Sequence, residues 1–471
     1  MSRADLHTDR RSETPLYRQL YDRFRDNIAA GRLQPGDRVP SVRGLASELN
    51  LSRGTVELAY QVLISEGYLL ARGAAGTVVS PQLIPQRIAR AVGHHADSQP
   101  QKPAPSSETP LPFQLGLPAL DAVPVRLWRR LMTRHLRESS VSALDYPDPQ
   151  GRRDLRNALA AYLGVSRGID CDADQIFITA GYREALRLIR HALLRTGDCG
   201  WFEEPGYFKA RDMLQLAGLS LVPAPVDANG LDVSAARERA ENARFAVVTP
   251  SHQSPTGVSL SLPRRLALLE WAVDNASWII EDDYDSEYRY QGRPIPALKS
   301  LDSQGRVLYT GTFSKVLFPG LRLAYLVVPR SEVERFRDTV TLSGSGCSDL
   351  PQSTLADFIN QGHFARHLRR MRALYSQRRA YLHQALEAQL GDRIDIDLQA
   401  GGMHLLVRFN NKNNDIEIAR RARSRGLSVQ AFSTWFQDHT DQAGLILGFT
   451  NIVTAEEAAQ HVGNLKAAFD D

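Results

Sequence analysis

In the stretch GTFSK, Lys315 follows the short apolar run Val307–Thr310. An amine at the carboxyl end of a buried strand can point into the crevice where open sheets bind ligands. There it can form a Schiff base with an aldehyde cofactor. Thr312 and Arg322 on either side offer a hydroxyl and a guanidinium to a phosphate. A lysine alone is usually a solvated side chain, and this one gains weight from EDDYDSEY, which places Asp282 thirty-three residues earlier. A carboxylate beside a pyridine nitrogen keeps that nitrogen protonated and makes the ring an electron sink. Tyr284 is then the candidate neighbour of the phenolic oxygen. The turn TAGYREALRLI puts Gly181 and Tyr182 at a helix N-terminus, where free amides and the helix dipole favour phosphate. Tyr207, in EEPGY, suits stacking on a ring. Taken singly, these stretches also fit an acidic loop, an ordinary turn and a surface tyrosine.

A second kind of chemistry lies in the first eighty residues. Two short helices joined by a tight turn suit a DNA groove reader, the second helix starting at Ser52 and presenting Arg53, Gly54 and Thr55. Amides at that end can meet a phosphate, and arginine can reach guanine edges. Arg43 and Arg72 are placed to touch backbone phosphates. The charge agrees without deciding the matter. Residues 1–90 hold 13 Arg and Lys against 9 Asp and Glu, which accounts for the whole net charge of +4.

The elements that must position these residues follow from periodicity. Leu16, Leu20, Phe24 and Ile28 recur every fourth residue and predict a helix ended by Gly31. Ser41 and Ser52 are N-caps for helices burying Val42, Leu45, Ala46 and Leu49, then Val56, Ala59, Tyr60 and Leu63. Leu69–Arg72 and Thr77–Ser80 around GAAG predict a two-stranded wing. QPQKPAPSSETPLP has five prolines in fourteen residues and reads as a linker, with a short helix at 86–92 before it. Beyond it, short apolar runs at Ile176–Thr179, Ala246–Thr249, Trp278–Glu281, Val307–Thr310 and Leu323–Val328 alternate with helices, as in a mostly parallel sheet covered on both faces. The expected domains are therefore 13–81, a linker over 82–112, and 113–471. No apolar run is long enough for a bilayer, and the N-terminus lacks the apolar core of a secretory signal, so a cytoplasmic protein with no membrane partner is expected. Cys171, Cys199 and Cys347 show no CxxC grouping, and neither disulfides nor a metal site is expected.

PSVRGLASELNLSRGTVELAYQVLISEGYL resembles the winged helix of the GntR regulators over its whole length. The lysine, aspartate, glycine and tyrosine stretches, with YPDPQGRRDLRNALAAYL and PSHQSPTG, resemble fold-type I aminotransferases. The combination resembles the MocR/GabR subfamily. That resemblance implies an N-terminal winged helix-turn-helix (α+β) and a C-terminal α/β aminotransferase-like domain. It implies pyridoxal 5'-phosphate joined to Lys315, a pyridine partner at Asp282 and a stacking Tyr207. It also implies a head-to-tail homodimer in which Tyr146 reaches the other subunit's cofactor phosphate. The partners would be a double-stranded DNA operator and a small amine or amino-acid-like effector, sensed by an aldimine switch at Lys315. Lys209 and Arg211 are the candidates for the effector's acidic end.

The departures bear on function. Ser254 stands where aminotransferases carry the asparagine of NPTG, leaving Gln253 or His252 to replace it. Ile446, in LILGFT, stands where those enzymes carry a carboxylate-binding arginine, and Thr434 where some GABA-sensing relatives carry another. Neither side chain can make the bidentate pair of a guanidinium with a carboxylate. Ordinary α-amino-acid transamination is therefore not expected. An active aminotransferase with a fused head, or a sensor of the cofactor itself, remains open.

Overall fold

The structure, a computed structural model, describes residues 14–82, 110–139, 145–292, 295–344, 346–410, 414–438 and 440–470. The helix expected at 86–92 and most of the proline-rich stretch lie outside the described residues. The chain divides into two compact units, residues 1–104 and 105–471.

In the first unit, three helices, α1 (Leu16–Ala29), α2 (Val42–Glu48) and α3 (Arg53–Ser65), precede a hairpin of β1 (Leu69–Ala71) and β2 (Thr77–Val79). Ser41 caps α2 by accepting from the Gly44 amide at 3.0 Å, and Ser52 caps α3 by accepting from the Thr55 amide at 3.1 Å. The fourfold spacing of α1 puts Leu20 and Phe24 against Val56, Tyr60 and Leu63 of α3, with Leu69 and Val79 closing the core from below. Phe24 meets Tyr60 edge-on at 5.4 Å. The wing pairs antiparallel, Leu69 opposite Val79, and Arg38 adds a bridge to Val78 that the sequence pattern did not reveal.

The second unit is built on an eight-stranded sheet. Its strands are β3 (Ile176–Thr179), β4 (Cys199–Glu204), β5 (Ser220–Asp227), β6 (Gly230–Leu231), β7 (Phe245–Val248), β8 (Trp278–Asp283), β9 (Val307–Thr312) and β10 (Ala324–Val327). They are ordered 3-10-9-8-7-4-5-6. Strands β5, β4, β7, β8 and β9 run parallel, whereas β10 is antiparallel to both β3 and β9. Helices α4 (Val125–Glu138), α5 (Arg153–Arg167), α6 (Tyr182–Leu193), α7 (Phe208–Leu216), α8 (Val233–Arg239), α9 (Leu262–Asp274), α10 (Phe313–Val316), α11 (Val333–Ser343), α12 (Asp349–Asn360) and α13 (His363–Leu390) surround or follow the sheet. Alternation along the strands feeds separate apolar clusters. Phe177, Leu308 and Leu326 pack with Leu186 and Ile189 of α6, while Ile176, Tyr309 and Tyr325 pack with Leu155 and Leu159 of α5. Both faces are covered, which is why the strands read as continuous apolar runs.

The chain ends in a smaller four-stranded antiparallel sheet. Its strands are β11 (Ile394–Asp397), β12 (His404–Phe409), β13 (Gln430–Ala431) and β14 (Gly444–Gly448), ordered 11-12-14-13, with α14 (Asp415–Ser424) and α15 (Ala455–Asp470) alongside. Among the described residues, no helix is long and apolar enough to cross a membrane.

Candidate functional site

The carboxyl ends of β3, β8 and β9 bring together Gly181, Asp282 and Lys315. Strands β8 and β9 pair with Asp282 opposite Thr310. The chain then turns at Thr312, whose hydroxyl caps α10 by accepting from the Ser314 amide at 3.1 Å. One turn later, Lys315 donates its Nζ to the carbonyl of Gly116 at 2.6 Å. Gly116 has a φ of +69°, and a Cβ there would lie 2.3 Å from that Nζ, so a side chain at this position would displace the amine. Burial lowers the lysine pKa, against the opposing pull of Asp285 and Asp282. A lowered pKa enlarges the fraction of free amine, the form that attacks a carbonyl.

Asp282 is 8% exposed, and burial pushes its carboxyl up to about 8 while a hydrogen bond donated by Tyr182 pulls the other way. A buried acid this reluctant to ionise is what a cationic ring nitrogen would bring back to the charged form. Gly181 starts α6 with a φ of +119°, and the Arg322 guanidinium lies 3.3–3.5 Å from where its Cβ would be. Arg322 itself is exposed, so helix amides and an available guanidinium meet at one bare spot, which suits a phosphate. Tyr207 caps α7, half-buried, with its ring 6.0 Å from that of Trp435. These residues fit a phosphorylated pyridine aldehyde.

At the end of β8, alternation turns Asp282 to the crevice and Asp283 to the opposite side, and beyond the strand Tyr284 and Asp285 meet at His252. Asp283 pairs with Arg167 at 2.6 Å and accepts from the Tyr309 hydroxyl at 2.6 Å, both deep in the body. The His252 Nδ1 lies 2.9 Å from the Tyr284 hydroxyl and 3.0 Å from Asp285. Ser254 hydrogen-bonds to Tyr284 as well. Gln253, the other candidate to replace the missing asparagine, is committed elsewhere: its Nε2 donates to Pro205 O, Ser254 O and Glu203, and its Oε1 accepts from Thr256. Of the two candidates, His252 is the one beside Tyr284.

Of the remaining sequence candidates, Lys209 acts on Lys315 by like charge, adding to the lowering of its pKa. Lys209 is exposed over the Phe208 ring at 5.9 Å, and Arg211 on the same turn faces Asp212 at 3.6 Å. Tyr146 stands apart from the cluster, 96% exposed. Ile446 is fully buried among Leu406, Phe432 and Trp435, and the Thr434 hydroxyl donates to Ala431 O at 2.7 Å. Gly116, Asp285 and the Arg167–Asp283 pair escaped the sequence reading. Gly116 had a faint signal, a glycine-proline turn in LGLP just after the expected domain start.

In the first unit, Ser52, Arg53 and Gly54 are exposed at the start of α3, and Thr55 is half-buried. A Cβ on Gly54 would meet only the Ser52 hydroxyl, at 4.0 Å, so the space beside Arg53 is open. Arg43 and Arg72 are exposed on α2 and at the wing. Arg38, which sequence spacing did not single out, lies against Gly76 in the wing turn.

Comparison with known proteins matches both units. Residues 16–79 match the gntR family of bacterial regulatory proteins, and residues 118–436 match aminotransferase class I and II. The chain is 38% identical to the probable rhizopine catabolism regulatory protein MocR of Rhizobium meliloti, covering 98% of this chain and 96% of that protein. It is 33% identical to the pyridoxine biosynthesis regulator PdxR of Corynebacterium glutamicum, covering 93% and 92%. A kynurenine aminotransferase of Pyrococcus horikoshii, solved with PMP, superposes with a TM-score of 0.70 at 27% identity over 77% of this chain and 92% of that one. Class I and II aminotransferases depend on pyridoxal phosphate, and the fold implies that cofactor. The chain belongs to the GntR family of DNA-binding transcription regulators, in the MocR-type group that carries an aminotransferase-like body.

Proposed function

We propose that this cytoplasmic regulator holds pyridoxal phosphate on Lys315 and uses it to sense a small amine or amino-acid-like effector, acting as a head-to-tail homodimer on an operator. The observation that carries the reading is the convergence of a desolvated lysine amine, a buried carboxylate and a guanidinium-lined glycine turn at the ends of three strands. The cofactor supplies an electrophilic carbonyl. Lys315 would be the amine that holds the group and with which an effector amine would compete. Asp282 would keep the ring nitrogen protonated, Arg322 and the amides at Gly181 and Tyr182 would hold the phosphate with Thr312, Tyr207 would stack on the ring, and Tyr284 would meet the ring oxygen. Tyr146 of one subunit completes the phosphate site of the other. Lys209 and Arg211, on α7, would take the effector's acidic end.

The linker over 82–112 carries the change to the heads at 13–81, where Arg53 reads a base edge and Ser52, Gly54, Thr55, Arg43 and Arg72 fix the register. An effector that switches transcription must favour one arrangement by a few kcal/mol. Ile446, with no guanidinium to offer, argues against ordinary transamination. The relation to PdxR, whose name concerns pyridoxine biosynthesis, favours a second reading in which the cofactor itself is the signal. Borohydride reduction of the protein supplied with pyridoxal phosphate, followed by peptide mass analysis, tests the shared foundation. Label on the Lys315 peptide is expected, and an unlabelled Lys315 refutes both readings. Operator binding measured with cofactor alone, then with added amines, separates them.

A further inference from the structure

Behind Tyr284 lies a cavity of about 210 Å³ that none of Lys315, Asp282 or Tyr207 lines. Its wall includes Arg167, His252, Asp285, Ser286 and Arg289. Asp285 is 1% exposed and Arg167 4%. Nine buried side-chain polar atoms lack a hydrogen-bond partner among the described residues, and four of them belong to this wall: Arg167 Nε, Asp285 Oδ2, Ser286 Oγ and Arg289 Nε. Folded proteins leave few such groups unsatisfied, because each costs free energy when buried. Four around one cavity therefore point to something that the cavity is built to hold.

The partners already taken define what is left. The Arg167 terminal nitrogens serve Asp283 at 2.6 Å, Ser251 Oγ at 2.7 Å and Ile295 O at 3.0 Å, which leaves its Nε. Arg289 is half-buried, and its Nε has no hydrogen-bond partner among the described residues. Asp285 gives one oxygen to His252 at 3.0 Å and keeps the other free. The wall thus offers guanidinium and hydroxyl donors for an anion and one carboxylate oxygen for a cation. The volume takes a compact molecule rather than a single ordered water.

We infer that this cavity is a second ligand site, separate from the cofactor crevice, for a small zwitterion. The carboxylate of an amino-carboxylic acid lies toward Arg289, Arg167 and Ser286, and its ammonium toward Asp285. Occupancy has a route to the crevice, because Asp285 and Tyr284 share a single His252 nitrogen. An ammonium that draws on the Asp285 carboxylate leaves His252 to Tyr284. His252 has little freedom to swing away, since a Cβ on Gly402 would lie 2.2 Å from its ring. Binding at this site does not depend on the proposed function; only the coupling to Tyr284 rests on it.

The test uses the full-length chain, freed of cofactor and carrying Lys315→Ala so that no amine can be captured in the crevice. Calorimetry with glycine and β-alanine is expected to give one-to-one binding, with acetate and methylamine at least tenfold weaker because each satisfies half of the wall. Ser286→Ala and Arg289→Gln, both at the cavity and outside the crevice, are expected to weaken binding about tenfold. Absence of heat with both zwitterions, or affinities unchanged in both variants, overturns the assignment and leaves a hydrated structural void. Should Lys315 of the unmodified protein fail to take up pyridoxal phosphate while glycine still binds here, the functional proposal falls and this site stands.

Discussion

Asp282 and Lys315 exert their influence by being poorly solvated. In the cofactor-free protein the Asp282 carboxyl sits near 8, far above its ordinary value, because burial penalises its charged form. The folded chain therefore holds a proton that the unfolded chain releases above about pH 4. Stability contributed by this group is full below that pH and is lost as pH rises toward 8, at up to about 1.4 kcal/mol per pH unit. Glu203, raised to about 7 by burial, tilts the curve the same way. Chemical denaturation of cofactor-free protein between pH 5 and 8 should show this decline, and Asp282→Asn should flatten part of it. A slope unchanged in the variant would mean that Asp282 ionises normally. Gly116→Ala is expected to reduce cofactor uptake at least tenfold, because its Cβ would stand 2.3 Å from the Lys315 amine at an unfavourable φ. Equilibrium dialysis with pyridoxal phosphate measures it. At this scale, the lysine and the aspartate were legible because their types and spacing are themselves the chemistry. Gly116 and Asp285 were not, since their roles depend on contacts with residues 199 and 33 positions away in the chain.

Among the elements, the helices and wing of the first unit agree with periodicity and caps read from the sequence. Ser41 and Ser52 accept from the amides their positions imply. Ser52→Ala removes one such bond and should destabilise the head by about 1 kcal/mol, measurable as a shift in its unfolding midpoint. Arg53→Ala is expected to lose about 1–3 kcal/mol of operator affinity and to relax preference at one base pair. Arg72→Ala should weaken all DNA similarly and lower the salt slope by about one. Equal losses on specific and random duplexes for Arg53→Ala would remove it from base reading. In the body, the five expected strands all exist, but the sequence could not show that β10 runs antiparallel between β3 and β9. A strand buried on both faces is an apolar run in either direction. The short strands β6 and β13, and most of the terminal sheet, carry too little pattern to be read. β10 begins two residues after Arg322, with Ala324 opposite Thr312, so the turn back into the sheet leaves Arg322 at the carboxyl end of β9.

The molecule as a whole joins an aminotransferase-like body to a DNA-binding head, and the proposed function couples an amine-binding crevice in the one to the other. The family and its two-part plan were legible because each part has a long, ordered set of motifs. The effector was not, because the residues that would name it are absent: Ile446 and Thr434 replace two guanidiniums and put nothing specific in their place. The proposed homodimer should behave in solution as twice the 52.4 kDa chain, and Tyr146→Phe should weaken cofactor binding without dissociating it. In heterodimers of Tyr146→Phe and Lys315→Ala chains, one of the two sites should regain full affinity if the tyrosine serves its partner. The most direct measurement follows visible absorption and operator binding together while a panel of small amines is titrated into protein loaded with pyridoxal phosphate. An effective amine is expected to change both signals with one midpoint, and Lys315→Ala to abolish both changes. Effector-dependent operator binding that persists in Lys315→Ala, or that proceeds with no spectral change in the unmodified protein, would contradict the proposed coupling.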